Sequence, residues 1–223
     1  MKHVNIIFLI ILFVSKSLYG QKVKAEATNL VANKVYMTVE TFQGKEVVKV
    51  IKDSTVKEAD EPTFVRIKNI DFKNGIIEVN VLSRLLPNAS PSDRGFIGVA
   101  FRINENNSKF ECIYLRPTNG RAEEQVRRNH SIQYCSFPDF KFSRLRTETP
   151  EMYESYADMG LNEWIKMKIV VKGKQAKLFL NDNKQPSLIV NDLKLGEGSA
   201  GAVGLFVDGG TEGYFRDIKI FKQ

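Results

Sequence analysis

Apolar and polar residues alternate with a period of two along most of this chain, the pattern of strands that bury one face and solvate the other. VYMTVETF (35–42) and KEVVKVIKD (45–53) flank the hairpin-like turn Gln43-Gly44. TFVRIKN (63–69) and GIIEVNVLS (75–83) follow, then GFIGVAFRI (95–103) and KFECIYLRP (109–117) around a polar NENNS turn. HSIQYCS (130–136), WIKMKIVVK (164–172), AKLFLND (176–182) and SLIVNDL (187–193) continue the series, and GAVGLFV (201–207) and GYFRDIKIF (213–221) close it. Outside the first residues, no run of about a dozen shows helical spacing. A dozen short strands with turns between them predict an all-β protein, a sandwich or barrel. Residues 21–34 read as a loosely ordered lead-in. Three connections exceed what a hairpin needs: 84–94, 117–129 and 137–162, the last expected to hold at most a turn or two of helix. Long loops over a rigid sheet are where binding chemistry usually sits.

The N-terminus breaks the alternation. Lys2 and His3 precede an almost continuous apolar run, Val4 to Val14, and Ser15 to Gly20 turns polar and small. That order predicts a secretory signal (1–20) cleaved after Gly20, with a retained anchor as the alternative. The run is shorter than the roughly 20 residues a membrane span needs. The chain is therefore expected to be exported, to the periplasm or the exterior, and not inserted in a membrane once cleaved. Losing Lys2 and Lys16 lowers the net charge from +7 to +5. The lysines are spread singly along alternating strands, so the basic excess predicts solvated faces, not a nucleic-acid surface. The oligomeric state is left open.

Export permits a bridge between Cys112 and Cys135, the two cysteines; the other reading is two small buried hydrophobes. A single histidine after the signal and no clustered carboxylates argue against a zinc site, so no metal ligands are assigned. The late glycines lie between strands without a following helix, which excludes a phosphate loop.

Polar side chains concentrate between 102 and 154. There GFIGVAFR, FECIYLRPTNG, RRNHSIQYCS, LR (145–146), EMYE (151–154) and NEWIKMKIVV occur in order, after FKNGIIEVNV and before GKQAKLFLND and LKLGEGSAGAVGLFVDGGTEGYFRDIKI. This order resembles the concanavalin A-like lectin/glucanase superfamily, and within it the bacterial family-16-like glycoside hydrolase or 3-keto-disaccharide hydrolase domains. The resemblance covers about 35 to 221. It implies a jelly-roll β-sandwich of two curved antiparallel sheets (35–223) whose concave face receives a carbohydrate ligand. It also implies site residues: Glu111 and His130 as the catalytic candidates, with Arg102, Tyr114, Arg116, Gln133, Tyr134 and Arg146 as substrate-binding candidates. No cofactor follows from it, though it leaves open a structural calcium held by backbone carbonyls and Asp208 or Asp217. Active family-16 glucanases carry E-x-D-x-E or E-x-D-x-x-E on one strand; no such motif occurs here, EADEP (58–62) being the nearest string. Glycoside hydrolysis, glycan binding without turnover and a protein-interaction domain of the laminin-G kind are the competing functions.

Alternation supports these residues unequally. It puts Arg102 beside Ala100 and Gly98, puts Cys112, Tyr114 and Arg116 on one face, and puts Gln133 with Cys135. Glu111 falls with the apolar set unless a bulge intervenes. Glu111, His130 and Tyr134 therefore rest chiefly on the resemblance. Each has a plainer reading: exposed strand arginines for Arg102 and Arg116, an ion-pair partner for Glu111, a hydrogen-bonded structural residue for His130, core packing for Tyr114 and Tyr134. Trp164 opens a hydrophobic strand and reads as core. A hairpin pairing with Cys112 opposite Cys135 sets Glu111 across from Ser136 and separates it from His130 by roughly 20 Å along the strand. In that register the two cannot form one catalytic site.

Overall fold

The computed structural model describes residues 19–22 and 27–223; residues 1–18, the bulk of the expected signal, lie outside them. Fifteen strands and two short helices follow one another along the described chain. The first five strands are β1 (Tyr19–Lys22), β2 (Leu30–Asn33), β3 (Val35–Phe42), β4 (Lys45–Lys52) and β5 (Phe64–Ile67). Next come β6 (Gly75–Leu85), β7 (Ile97–Ile103), β8 (Phe110–Leu115), α1 (Gln125–Asn129), β9 (Ile132–Phe137), α2 (Phe142–Glu148) and β10 (Glu154–Ser155). The last are β11 (Ile165–Lys172), β12 (Gln175–Leu180), β13 (Leu188–Val190), β14 (Ala202–Val207) and β15 (Thr211–Lys222).

They form two antiparallel sheets packed face to face, the jelly-roll sandwich that the family resemblance implies. One sheet runs β13-β12-β11-β6-β15-β4-β3, with β1 also pairing β15; the other runs β10-β9-β8-β7-β14-β5-β2. The lead-in is more ordered than expected. β1 spans the predicted cleavage point, and Leu30 on β2 is buried against the core.

The sheets differ in a way that decides where the site can be. The first follows the alternation: Ile165, Met167, Ile169 and Val171 point inward, and the lysines between them do not. In the second, every residue of β7, β8 and β14 is buried. A strand buried on both faces needs a cover on its outer side. That cover is the 53–63 loop together with α2: Asp60 Oδ2 accepts from Phe142 N at 2.6 Å, and Lys141 Nζ lies 2.7 Å from Glu61 Oε1. α2 lies in the 137–162 connection, whereas α1 falls in 117–129, where the polar composition predicted only loop.

β8 and β9 pair in the hairpin register with Cys112 opposite Cys135 and Glu111 opposite Ser136. Both cysteines are free and buried, so the small-hydrophobe reading describes them here. Trp164 is not core. It sits half-buried on the outer face of the first sheet beside Phe42, with the Arg216 guanidinium 3.8 Å from its ring centroid.

Candidate functional site

One rung of the second sheet builds the floor. Glu154 on β10 pairs with Gln133 on β9, Gln133 with Tyr114 on β8, Tyr114 with Gly98 on β7, and Gly98 with Phe206 on β14. Partners in register share a face, so these side chains all lie on the outer, covered side. Gly98 has to be glycine, because a Cβ there would run into Tyr114. Two residues beyond Tyr114, Arg116 ends the strand on the same face.

Arg116 organises what surrounds it. Its guanidinium donates to Glu154 Oε1 at 3.0 Å, Gln133 Oε1 at 3.0 Å, the Tyr114 hydroxyl at 3.2 Å and the His130 carbonyl at 3.1 Å. Glu154 is shared further: Arg146 grips both carboxylate oxygens, and His130 Nδ1 lies 2.9 Å from Oε2. Burial by itself would raise the Glu154 carboxyl, but Arg146, Arg116 and His130 hold it below its ordinary value. His130 moves the other way. Burial and the charges of Arg146 and Arg116 outweigh Glu154 and push the imidazole below its usual value, which favours the uncharged ring. Nδ1 approaches Glu154 without the alignment of a hydrogen bond, and Nε2 is the ring nitrogen on the side away from that carboxylate.

Above this network opens a cleft of about 610 Å³. Tyr114, Arg116 and Phe142 line its base, and His130 and Arg146 stand on its wall with Arg94 and Arg127. At the far side Lys52 and Asp208, both buried, pair at 2.5 Å. Asp208 also accepts from the backbone N–H of Asp60 at 2.9 Å and of Gly209 at 2.8 Å. Asp60 is buried beside it, and its carboxyl is raised by that burial and by the Asp208 charge.

The structure thus gathers Tyr114, Arg116, Gln133, His130 and Arg146 into one place and sends the other three elsewhere. Arg102 is displaced by a bulge. Phe101 and Arg102 together oppose Val203, and Arg102 takes φ 54°. Its guanidinium is used up on the carbonyls of Lys73, Gly173 and Gly196, three loops at the edge of the sandwich. Glu111 and Tyr134 point into the space between the sheets, as the alternation placed Glu111. The Tyr134 hydroxyl donates to Glu111 Oε2 at 2.6 Å, and Leu195 N donates to Oε1 at 2.8 Å. Burial raises the Glu111 carboxyl. With this register Glu111 and His130 are not a pair; the carboxylate partner of His130 is Glu154.

Glu154 belongs to EMYE, where no spacing in the sequence marks it as a site residue. Its strand is two residues long, too short for a periodic signal. Arg127 was visible in the RRNHS motif and Asp60 in EADEP, but contacts between distant loops give them their place. Of the two carboxylates that a structural calcium would use, Asp208 pairs with Lys52, and Asp217 accepts from Asn80 at 2.8 Å. Among the described residues, no group of three or more His, Cys, Asp or Glu could hold a metal ion.

Solved structures share the architecture. The carbohydrate-binding module CBM66 of Bacillus subtilis superposes with a TM-score of 0.57 at 13% identity, covering 86% of this chain and 95% of the module. A Bacillus subtilis protein of unknown function with a galectin-like fold gives 0.56 at 10% identity, over 92% and 94% of the two chains. A candidate glycosyl hydrolase from Parabacteroides distasonis gives 0.50 at 12% identity, over 88% and 89%. At such identities these likenesses establish the fold alone. No curated protein matches the sequence. Over residues 20–221, nearly its whole length, the chain matches the 3-keto-alpha-glucoside-1,2-lyase-like domain, and it belongs to that family.

Proposed function

We propose that this is an exported domain that binds a glycoside in the His130 cleft and, where the sugar carries a ketone at C3, cleaves it by elimination. The observation that carries this reading is an imidazole 2.9 Å from a buried carboxylate, on the wall of a cleft lined with guanidiniums. Retaining hydrolysis asks for two carboxyl groups about 5–5.5 Å apart on either side of the glycosidic bond. The sequence lacks the motif that supplies them, and Glu111 is turned into the core. Elimination needs only one base.

The chemistry suits the groups. A C3 carbonyl acidifies the hydrogen on C2. His130 Nε2 takes that proton and the C2–H electron pair passes onto the C3 oxygen as an enolate. The pair returns to form the C1–C2 double bond as the glycosidic C1–O bond breaks, and the proton held by His130 goes to the departing oxygen to give the alcohol. Negative charge grows on the C3 oxygen as the proton leaves, and the Arg146 guanidinium is the donor for it. Phe142, half-buried at the base of the cleft, supplies apolar surface for the sugar ring. Family membership by name and the sugar-related neighbours lend support to a carbohydrate ligand.

The test uses the exported protein, whose mass should place its N-terminus near Gln21. It is incubated with a 3-keto-glucoside and with the unoxidised parent, and the alcohol released is followed. Release from the keto sugar alone, lost in a folded His130→Gln variant, is expected. A variant that keeps the wild-type rate would remove His130 from the reaction. Binding without release from either sugar would leave a binding module.

A further inference from the structure

The cleft holds more positive charge than its own acids neutralise. Arg94 on the 84–94 connection, Arg127 on α1 and Arg146 on α2 are all half-buried and line the same cavity. Arg94 donates only to the carbonyls of Pro91, at 2.6 Å, and Asp93, at 2.9 Å. Arg127 donates to Asn119 Oδ1 at 3.0 Å and to the Thr118 hydroxyl at 3.3 Å. Both sets of acceptors are neutral, and neither guanidinium makes an ion pair among the described residues. Arg146 has a carboxylate, but shares it with Arg116 and His130.

The acids at hand do not close the gap. Asp208 is bound to Lys52, and Asp93 turns Oδ2 to the Ser90 N–H at 2.6 Å. Glu124 is exposed at the start of α1. Lys57 adds another cation at the rim, bonded only to the Ser54 carbonyl. The strain shows at Arg94: burial, then the charges of Arg127 and Arg116, lower its affinity for its proton. Neutral hydroxyls do not call for such a cluster. Half-buried guanidiniums with free donors are what an oxyanion binds, through charge-assisted and often bidentate hydrogen bonds.

We propose that the sugar taken by this cleft carries an oxyanion substituent, a carboxylate, sulfate or phosphate, held by Arg94 and Arg127 while its ring lies at His130 and Arg146. This rests on the reading of the cleft as a sugar site and adds the class of sugar. Arg94 and Arg127 are then selectivity residues, distinct from the proton-transfer group.

Titration calorimetry on the chain from Gln21 onward tests it, using methyl glucoside against its glucuronide, 6-sulfate and 6-phosphate counterparts, at low and near-physiological salt. At least one acidic sugar should bind about tenfold tighter than the neutral one, a difference of about 1.4 kcal/mol. The advantage should shrink with salt and vanish in the double variant Arg94→Gln/Arg127→Gln. The acidic sugar that binds tightest identifies the oxyanion. Equal affinity for neutral and acidic sugars would overturn the inference and leave the sugar reading intact. An advantage that persists in the folded double variant would also overturn it. Failure of every sugar to bind would take down both. Should the double variant not fold, the matched pairs and the salt series on the wild type decide alone.

Discussion

A carboxylate shared by two guanidiniums and an imidazole ties four separate pieces of this chain together. Glu154 reaches Arg116 at the end of β8, Arg146 on α2 and His130 after α1, and its side chain is only 4% exposed. Removing one member of a buried ion pair leaves the other charge stranded, at a cost of about 3–5 kcal/mol. Glu154→Ala should therefore lower stability by that order in urea titrations at pH 7. The sign with pH follows from its lowered carboxyl. The contribution is complete above its ordinary value of 4.5 and is lost as pH falls through the folded value. Asp60 and Glu111, whose carboxyls are raised, act in the opposite sense: they stabilise below their ordinary values, and that stabilisation is lost as pH rises through the folded ones. The gap between wild type and Glu154→Ala should thus narrow below about pH 4.5. A gap unchanged into acid would mean Glu154 contributes by packing, not by charge.

At the scale of elements, alternation is a reliable guide where a strand is regular and fails at one irregular residue. It assigned Tyr114, Arg116 and Gln133 to one face and Glu111 to the other, and β8 and β9 obey it through the Cys112–Cys135 register. Arg102 shares the same pattern on paper. The bulge at Phe101–Arg102 changes its direction, and no local residue type announced that bulge. α1 and β10 were illegible for a different reason: five and two residues are too few to carry a period. The displaced residues have work of their own. Glu111 and Tyr134 fasten the Lys194–Leu195 backbone to β8 and β9. Glu111→Ala leaves the Tyr134 hydroxyl and the Leu195 N–H without their acceptor, which should cost about 2–3 kcal/mol in denaturant unfolding. Ligand affinity in the cleft should stay within about twofold, under 0.5 kcal/mol. Intact stability with lost affinity would return Glu111 to the site.

Over the whole molecule, the two sheets divide their tasks. The first presents lysines to its outer side, together with half-buried Phe42 and Trp164 packed over the buried Tyr214. The second is covered on both faces, and the cover stops short of the strand ends, where the cleft opens over Tyr114 and Arg116. The fold class was legible because period two persists over a dozen segments. The position of the cleft was not, because it depends on where the 53–63 loop and α2 settle. A chain beginning at Gln21 has one histidine, His130, and one tryptophan, Trp164, on the outer faces of opposite sheets. These give separate reporters for the two surfaces. Ring resonances of His130 and the indole N–H of Trp164, followed by NMR during titration with a bound glycoside, test most directly that sugar engages the cleft. The account predicts that the His130 resonances shift in proportion to occupancy while the Trp164 indole stays fixed. A shift at Trp164 with His130 unmoved would place the sugar on the other sheet and contradict it.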